Sequence, residues 1–75
     1  MALTRQQERR RMLLRKLVID SFTTYADAAV VVGYSESWLK SRLAPGAEHA
    51  INDRAIDVIK ARLASAGIAG GDLLR

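Results

Sequence analysis

Apolar side chains recur at three- and four-residue spacing along most of this 75-residue chain, the spacing that collects them on one face of an α-helix. The one β-prone run, Val30–Val32, is too short to predict a sheet. No linker long enough to separate two domains interrupts the pattern. The sequence therefore predicts one all-α domain over residues 1–75, with a short C-terminal tail at 72–75. The four predicted helices cover about 5–21, 25–32, 36–43 and 53–66.

Residues that favour helix ends stand at these boundaries. Thr4 and Gln7 have the spacing of a capping box, in which side chains and backbone of the first turn bond each other. Gly33 is expected to end the second helix in the left-handed conformation, and the pair Pro45–Gly46 stops the third. The other predicted N-caps are Thr24, Ser35 and Asn52. These signals predict two short helices joined by a tight turn at Gly33.

The predicted helices differ in the faces that they can bury. In the first helix the apolar spacing holds from Leu13 onward, and the polar first half is expected to project away from the core. The tail at 72–75 is expected to be frayed or docked on a partner. The fourth helix has a continuous apolar stripe, so it is expected to lie against the others. That stripe consists of Ala55, Ile56, Ile59, Leu63 and Ala66.

Composition removes several classes of function. The chain has no cysteine and a single histidine, His49, so disulfides are excluded and no metal site is predicted. No apolar run approaches the roughly 18–20 residues that span a bilayer. No secretory signal is evident, so we expect a cytoplasmic protein. Because no nucleophile–base set, phosphate-binding glycine loop or carboxylate pair is present, the sequence predicts no enzyme activity, no cofactor and no small-molecule ligand.

Charge is distributed unevenly along the chain. The net charge of +4 and the isoelectric point near 10.1 favour a polyanionic partner. Residues 1–16 contain six cations against Glu8, a net charge of +5, whereas residues 47–75 contain four cations and four anions. The triplet Arg9–Arg11 is either a solvated helix start or a contact to phosphates. The candidate phosphate contacts of this segment are Arg5, Arg9 and Arg10.

The turn at Gly33 lies inside a patterned stretch of small, apolar and polar residues. Ala29 stands four residues before the glycine, and Leu39 is placed six residues after it, where it would anchor the next helix. The phrase Val32-Gly33-Tyr34-Ser35-Glu36-Ser37-Trp38-Leu39 resembles the helix-turn-helix of the lambda-repressor and Cro superfamily of phage, plasmid and bacterial regulators. The resemblance spans about residues 25–44. Outside it, the flanking helices agree with the family only in number and order.

One position departs from the family pattern. The family usually has an apolar residue three positions after Leu39, where this chain has Arg42. Leu43 is expected to take the anchoring role instead. Two interpretations of Trp38 stay open, because it is either a core residue or a stacking partner of Arg42 four residues on.

The resemblance implies a lambda-repressor-like helix-turn-helix domain whose recognition helix covers residues 35–43. It also implies a sequence-specific, duplex-DNA-binding transcriptional regulator, in particular a repressor, that reads the major groove. A homodimer is expected because one recognition helix reads few base pairs. Its candidate interface is the fourth helix with Ile68, Leu73 and Leu74. The DNA-facing positions of the family fall on Ser35, Glu36, Ser37, Lys40, Ser41 and Arg42.

Two other functions are compatible with the same pattern. An excisionase-like or other architectural protein would use this fold to bend DNA. A protein-interaction module or antitoxin-like adaptor would apply its helix surface to a protein partner. A steep fall of duplex-DNA affinity with salt would favour nucleic acid over protein as the partner.

Overall fold

A computed structural model of the chain describes residues 3–74. Within that range the chain forms four α-helices and a short 3₁₀ helix, with no β-strand. The predicted all-α class with four helices is therefore confirmed. Arg75, the last residue of the predicted tail, lies outside the described residues. The helices are α1 (Arg5–Ser21), α2 (Tyr25–Val32), α3 (Glu36–Leu43) and α4 (Asp53–Ser65), followed by the 3₁₀ helix Gly71–Leu74.

The helix ends follow from local capping. The backbone N–H of Thr4 donates to Gln7 Oε1 at 2.9 Å, and that of Gln7 donates to Thr4 Oγ1 at 3.1 Å, which completes the predicted capping box. Gly33 ends α2 with a φ of 82°, in the left-handed region, as expected. The predicted N-caps Thr24, Ser35 and Asn52 each accept a hydrogen bond from the backbone N–H three residues on. Local sequence therefore sets where each helix begins.

One cluster of buried apolar side chains holds the helices together. α2 packs against α3 and α4, while α1 packs against α3. Burial of a leucine or isoleucine side chain stabilises a fold by roughly 1.5–3 kcal/mol. The predicted stripe of α4 is confirmed except at Ala66, which is exposed because α4 ends at Ser65. The cluster consists of Leu14, Val18, Ala28, Val32, Leu39, Leu43, Ile51, Ala55, Ile56, Ile59, Leu63 and Leu74.

The polar first half of α1 does not project from the core, so that prediction was wrong. Arg11 is only 6% exposed, and its Nη1 donates to the carbonyl oxygen of Leu43 at 2.9 Å. Its Nε and Nη2 both donate to Glu8 Oε1. The hydrogen bond from Arg11 is the main reason that the pKa of the Glu8 carboxyl is lowered. Arg11 thus ties α1 to the end of α3, where the last carbonyls have no helical partner.

The C-terminal segment is also part of the core, which corrects the prediction of a frayed or partner-bound tail. Leu74 is 1% exposed, and the 3₁₀ helix lies against α1 and α4. Arg10 Nε donates to the carbonyl oxygen of Leu74 at 3.2 Å, and its Nη1 contacts Ile51 O at 3.1 Å and Asp53 Oδ1 at 2.9 Å. Leu74 is therefore withdrawn from the predicted dimer interface, whereas Leu73 stays exposed.

Candidate functional site

The turn between α2 and α3 is fixed by backbone geometry and by packing. Gly33 adopts a positive φ and donates its N–H to Ala29 O at 3.0 Å, which closes α2. Ser35 Oγ accepts from Trp38 N at 3.0 Å and caps α3, which begins at the next residue, Glu36. Leu39 is fully buried, so the inner face of α3 is anchored to the core as the sequence predicted. The turn and the anchor together leave the opposite face of α3 in solvent.

The outer face of α3 brings together most of the residues predicted to read bases. Ser37, Lys40 and Ser41 are exposed, and Ser35 is exposed at the start of the helix. Lys40 Nζ lies 3.6 Å from Glu36 Oε2, one helical turn away, with the Lys40 side chain mostly in solvent and that of Glu36 about half-exposed. Exposed pairs of this kind contribute little to stability, so each partner can exchange the other for a ligand. A role for these side chains in DNA binding stays a prediction.

One edge of α3 is a stack of three side chains. The rings of Tyr34 and Trp38 lie with centroids 4.2 Å apart and planes inclined by 25°. Arg42 Cζ lies 5.7 Å from the centroid of the Trp38 ring. Trp38 also packs against the hydrophobic cluster, so both interpretations of this residue hold at once. Leu43 is fully buried and anchors the end of α3 to the core, as predicted.

The basic residues of α1 separate into two groups. Arg5 and Arg9 are exposed and take part in no ion pair among residues 3–74. Arg10 is engaged within the chain, with its side chain 17% exposed and bonded to Asp53 and two backbone carbonyls. Arg11 is buried, as described above. Two of the three predicted phosphate contacts of this segment, Arg5 and Arg9, therefore present their charge to solvent.

One cation near the turn was not found from the sequence. Arg62 of α4 extends to Gly33, where a Cβ placed on the glycine would lie 3.8 Å from the Arg62 Cζ. Arg62 is exposed, and within the described chain it forms no ion pair. No local pattern marks this residue, because its proximity to Gly33 exists only once α4 packs on α2. Arg62 adds a positive charge beside the start of α3.

Among the described residues, few other features suggest a ligand or metal site. Among residues 3–74 no three His, Asp or Glu side chains converge as a metal site requires. None of the helices in that range is long and apolar enough to cross a bilayer. Comparisons with protein-family models, with curated proteins and with solved structures gave no match.

Proposed function

We propose that the protein is a sequence-specific duplex-DNA-binding regulator of the helix-turn-helix type seen in the lambda-repressor superfamily, with α3 as its recognition helix. The observation that carries the proposal is that α3 has one fully buried face and one exposed face. Leu39 and Leu43 are fully buried on its inner face, while Ser37, Lys40 and Ser41 are exposed on the other. A recognition helix needs this arrangement, because it must be held rigidly and still enter the major groove.

The chemistry of the outer face suits the reading of bases. Serine hydroxyls at positions 37 and 41 can donate to or accept from base edges, and their small size allows close approach to the groove floor. Lys40 can leave Glu36 for a guanine edge or a phosphate. Glu36 can then accept from a cytosine amine and disfavour other bases.

The surrounding cations suit contacts to the phosphate backbone, which supply affinity without sequence information. Arg42 is held against the Trp38 ring and has no carboxylate partner among residues 3–74. Arg62 lies next to the turn that precedes α3. Arg5 and Arg9 extend the positive surface along α1. Arg10 is left out of the proposed interface because its hydrogen bonds hold the C-terminal segment.

The proposal includes a cytoplasmic homodimer that acts as a repressor. A single eight-residue helix contacts few base pairs, so useful affinity requires two copies on a palindromic site with half-sites about 34 Å apart. The available apolar surface near the end of α4 comprises Leu73, which is 62% exposed, and the half-buried Ile68. The proposed dimer contact lies on this surface.

The decisive experiment is selection of bound fragments from random duplex DNA, followed by measurement of affinity against salt. We expect a palindromic consensus and a steep decrease of the binding constant as salt rises. Absence of binding to any duplex at low salt would overturn the proposal. A gel-mobility assay with permuted binding sites would identify an architectural protein instead, if the selected site is strongly bent.

A further inference from the structure

The solvent-facing side of α1 contains two large apolar side chains. Met12 is 57% exposed and Ile19 is 50% exposed, although nonpolar residues of this size are usually buried. They are seven residues apart, two helical turns, so they lie on the same side of the helix and about 10 Å apart along its axis. Both line a groove of about 390 Å³, which we call the α1 groove, lined by Arg11, Met12, Arg15, Lys16, Ile19, Asp20 and Pro45.

Apolar surface continues from the α1 groove along the same helix. Ile19 also lines a second hollow of about 300 Å³, whose wall includes Phe22 and Tyr25. Both aromatic side chains are partly buried against the core and hold this wall in place. Ile19 therefore forms a ridge between two adjoining depressions, a shape that can receive side chains one or two turns apart on a partner helix.

Positive charge borders this apolar surface. Arg15 is exposed and forms no ion pair within the described residues. Lys16 Nζ lies 3.3 Å from Asp20 Oδ2, with both side chains mostly in solvent, so this pair can open at little cost. Arg11 contributes no further charge to a ligand, because it is already bound to Glu8 and Leu43 O. The uncompensated charge of the α1 groove is thus positive and concentrated at Arg15.

We propose that the α1 groove binds an acidic amphipathic helix of another protein. The partner would place two apolar side chains, about seven residues apart, against Met12 and Ile19, and its Asp or Glu residues beside Arg15 and Lys16. A second copy of this chain would bring its own Arg15 and Lys16 together with Asp20, so it offers less negative charge to the groove than an acidic helix does. Duplex DNA is the less favourable occupant of the groove itself, since phosphates gain nothing from contact with methionine and isoleucine. The proposal goes beyond DNA binding by α3 and does not depend on it.

The test is selection from a displayed library of random 18-residue helical peptides against the full chain. The double variant Met12→Gln with Ile19→Gln serves for counter-selection, because it removes the apolar side chains, keeps the net charge and retains good helix formers. We expect peptides with paired apolar residues flanked by Asp and Glu. Enrichment of basic or uncharged peptides, or of none, would overturn the proposal.

Affinities of one selected peptide then separate this surface from general attraction to a basic protein. The double variant should lose at least about tenfold in affinity, as should Arg15→Glu. Val30→Gln is the matched control, because Val30 is an even more exposed apolar residue, 84%, on another helix. Its affinity should stay within about twofold of the parent. Equal loss in the control, or no loss in the double variant, would contradict the assignment of the groove.

Duplex-DNA binding by the same variants distinguishes the two surfaces. Because the glutamine substitutions leave charge unchanged and lie outside α3, the double variant should bind DNA as the parent does. Loss of DNA binding without loss of peptide binding would show that this face of α1 contacts DNA, and the peptide proposal would fail. Thermal unfolding of each variant confirms that the exposed substitutions leave the fold intact.

Discussion

At the scale of single residues, the proposed DNA surface depends on cations that make few contacts within the fold. Lys40 has only an exposed partner, and Arg62 has none among residues 3–74. By contrast, Arg10 and Arg11 are held by hydrogen bonds to backbone carbonyls of distant residues. Substitution of the first pair should therefore affect ligand binding, whereas substitution of the second pair should affect folding.

Replacement of Lys40 by alanine should weaken binding to the selected DNA site by about 1–3 kcal/mol if the amine contacts a base. The free energy of unfolding should change little, because the lost pair with Glu36 is exposed. Lys16→Ala is the matched control, since Lys16 forms an equivalent exposed pair with Asp20 on α1. Fluorescence anisotropy with a labelled duplex measures the DNA affinity of both variants. Equal effects of the two variants would show that α3 is not the reading helix.

Replacement of Arg62 by alanine should weaken binding to all duplexes by a similar factor and reduce the salt slope by about 1, as expected for loss of one phosphate contact. Arg54→Ala provides the comparison, because Arg54 is an exposed arginine of the same helix. Binding isotherms at several salt concentrations give the slopes. If Arg62→Ala keeps the parent slope, then the proximity of this side chain to Gly33 has no role in binding.

At the scale of elements, one buried polar side chain adds a hydrogen bond to the apolar packing between α1 and α3. Arg11 bonds the carbonyl oxygen of Leu43, 32 residues away, and simultaneously Glu8 on its own helix. A bond at the end of α3 limits how this helix, the proposed recognition helix, can tilt relative to α1. The orientation of the outer face of α3 therefore depends on a residue that is itself inaccessible to DNA.

Substitution of Arg11 by methionine, which keeps the length of the apolar stem, should lower the free energy of unfolding by about 1.5–3 kcal/mol. Arg15→Met at an exposed position of the same helix should have a much smaller effect. Urea denaturation measures the free energy of unfolding of both variants. A cost at Arg15 as large as that at Arg11 would mean that helix charge, and not the bond to Leu43, is responsible.

The same contact predicts a pH dependence of stability. The pKa of Glu8 is lowered from its ordinary value of 4.5 in the folded protein, so its contribution is fully present above that value and is lost as pH falls through the folded pKa. Urea denaturation between pH 6 and pH 3 should show a smaller loss of stability for Glu8→Gln than for the parent. An identical pH dependence would exclude Glu8 as a contributor.

Helix positions were predictable because their signals are local. The capping box at Thr4, the left-handed glycine at 33 and the stop at Pro45 each act within a few residues, and the observed helices begin or end where these signals predict. The burial of Arg11 and Leu74 was not predictable, because each depends on contacts with residues far away in the sequence. For the same reason the exposure of Ser37, Lys40 and Ser41 could be predicted from the sequence, whereas the approach of Arg62 to Gly33 could not.

At the scale of the whole molecule, the fold is closed by its C-terminal segment. Leu74 completes the hydrophobic cluster, and Arg10 of α1 covers it by bonding its carbonyl oxygen. A chain of this length buries a modest share of its surface, so the loss of one large side chain is a considerable fraction of its total stability. The 3₁₀ helix is thus a structural component of the domain.

Truncation of Leu74 to alanine should cost about 2–5 kcal/mol of unfolding free energy, because a fully buried leucine leaves a cavity. Leu73→Ala is the neighbouring control, and it should change stability by less than about 0.5 kcal/mol, since Leu73 is 62% exposed. Thermal unfolding measures the stability of both variants. If Leu73→Ala alone impairs DNA binding at low protein concentration, the loss supports the proposed dimer surface.

The stack of Tyr34, Trp38 and Arg42 gives this protein an intrinsic optical reporter. Trp38 is the single tryptophan of the chain, and its indole lies between the core and the outer face of α3. Its emission spectrum should shift on unfolding as water reaches the ring. If α3 binds DNA as proposed and Arg42 leaves the ring for a phosphate, the emission intensity should change separately from this shift. Unlabelled protein can therefore report both folding and the proposed DNA binding in one cuvette.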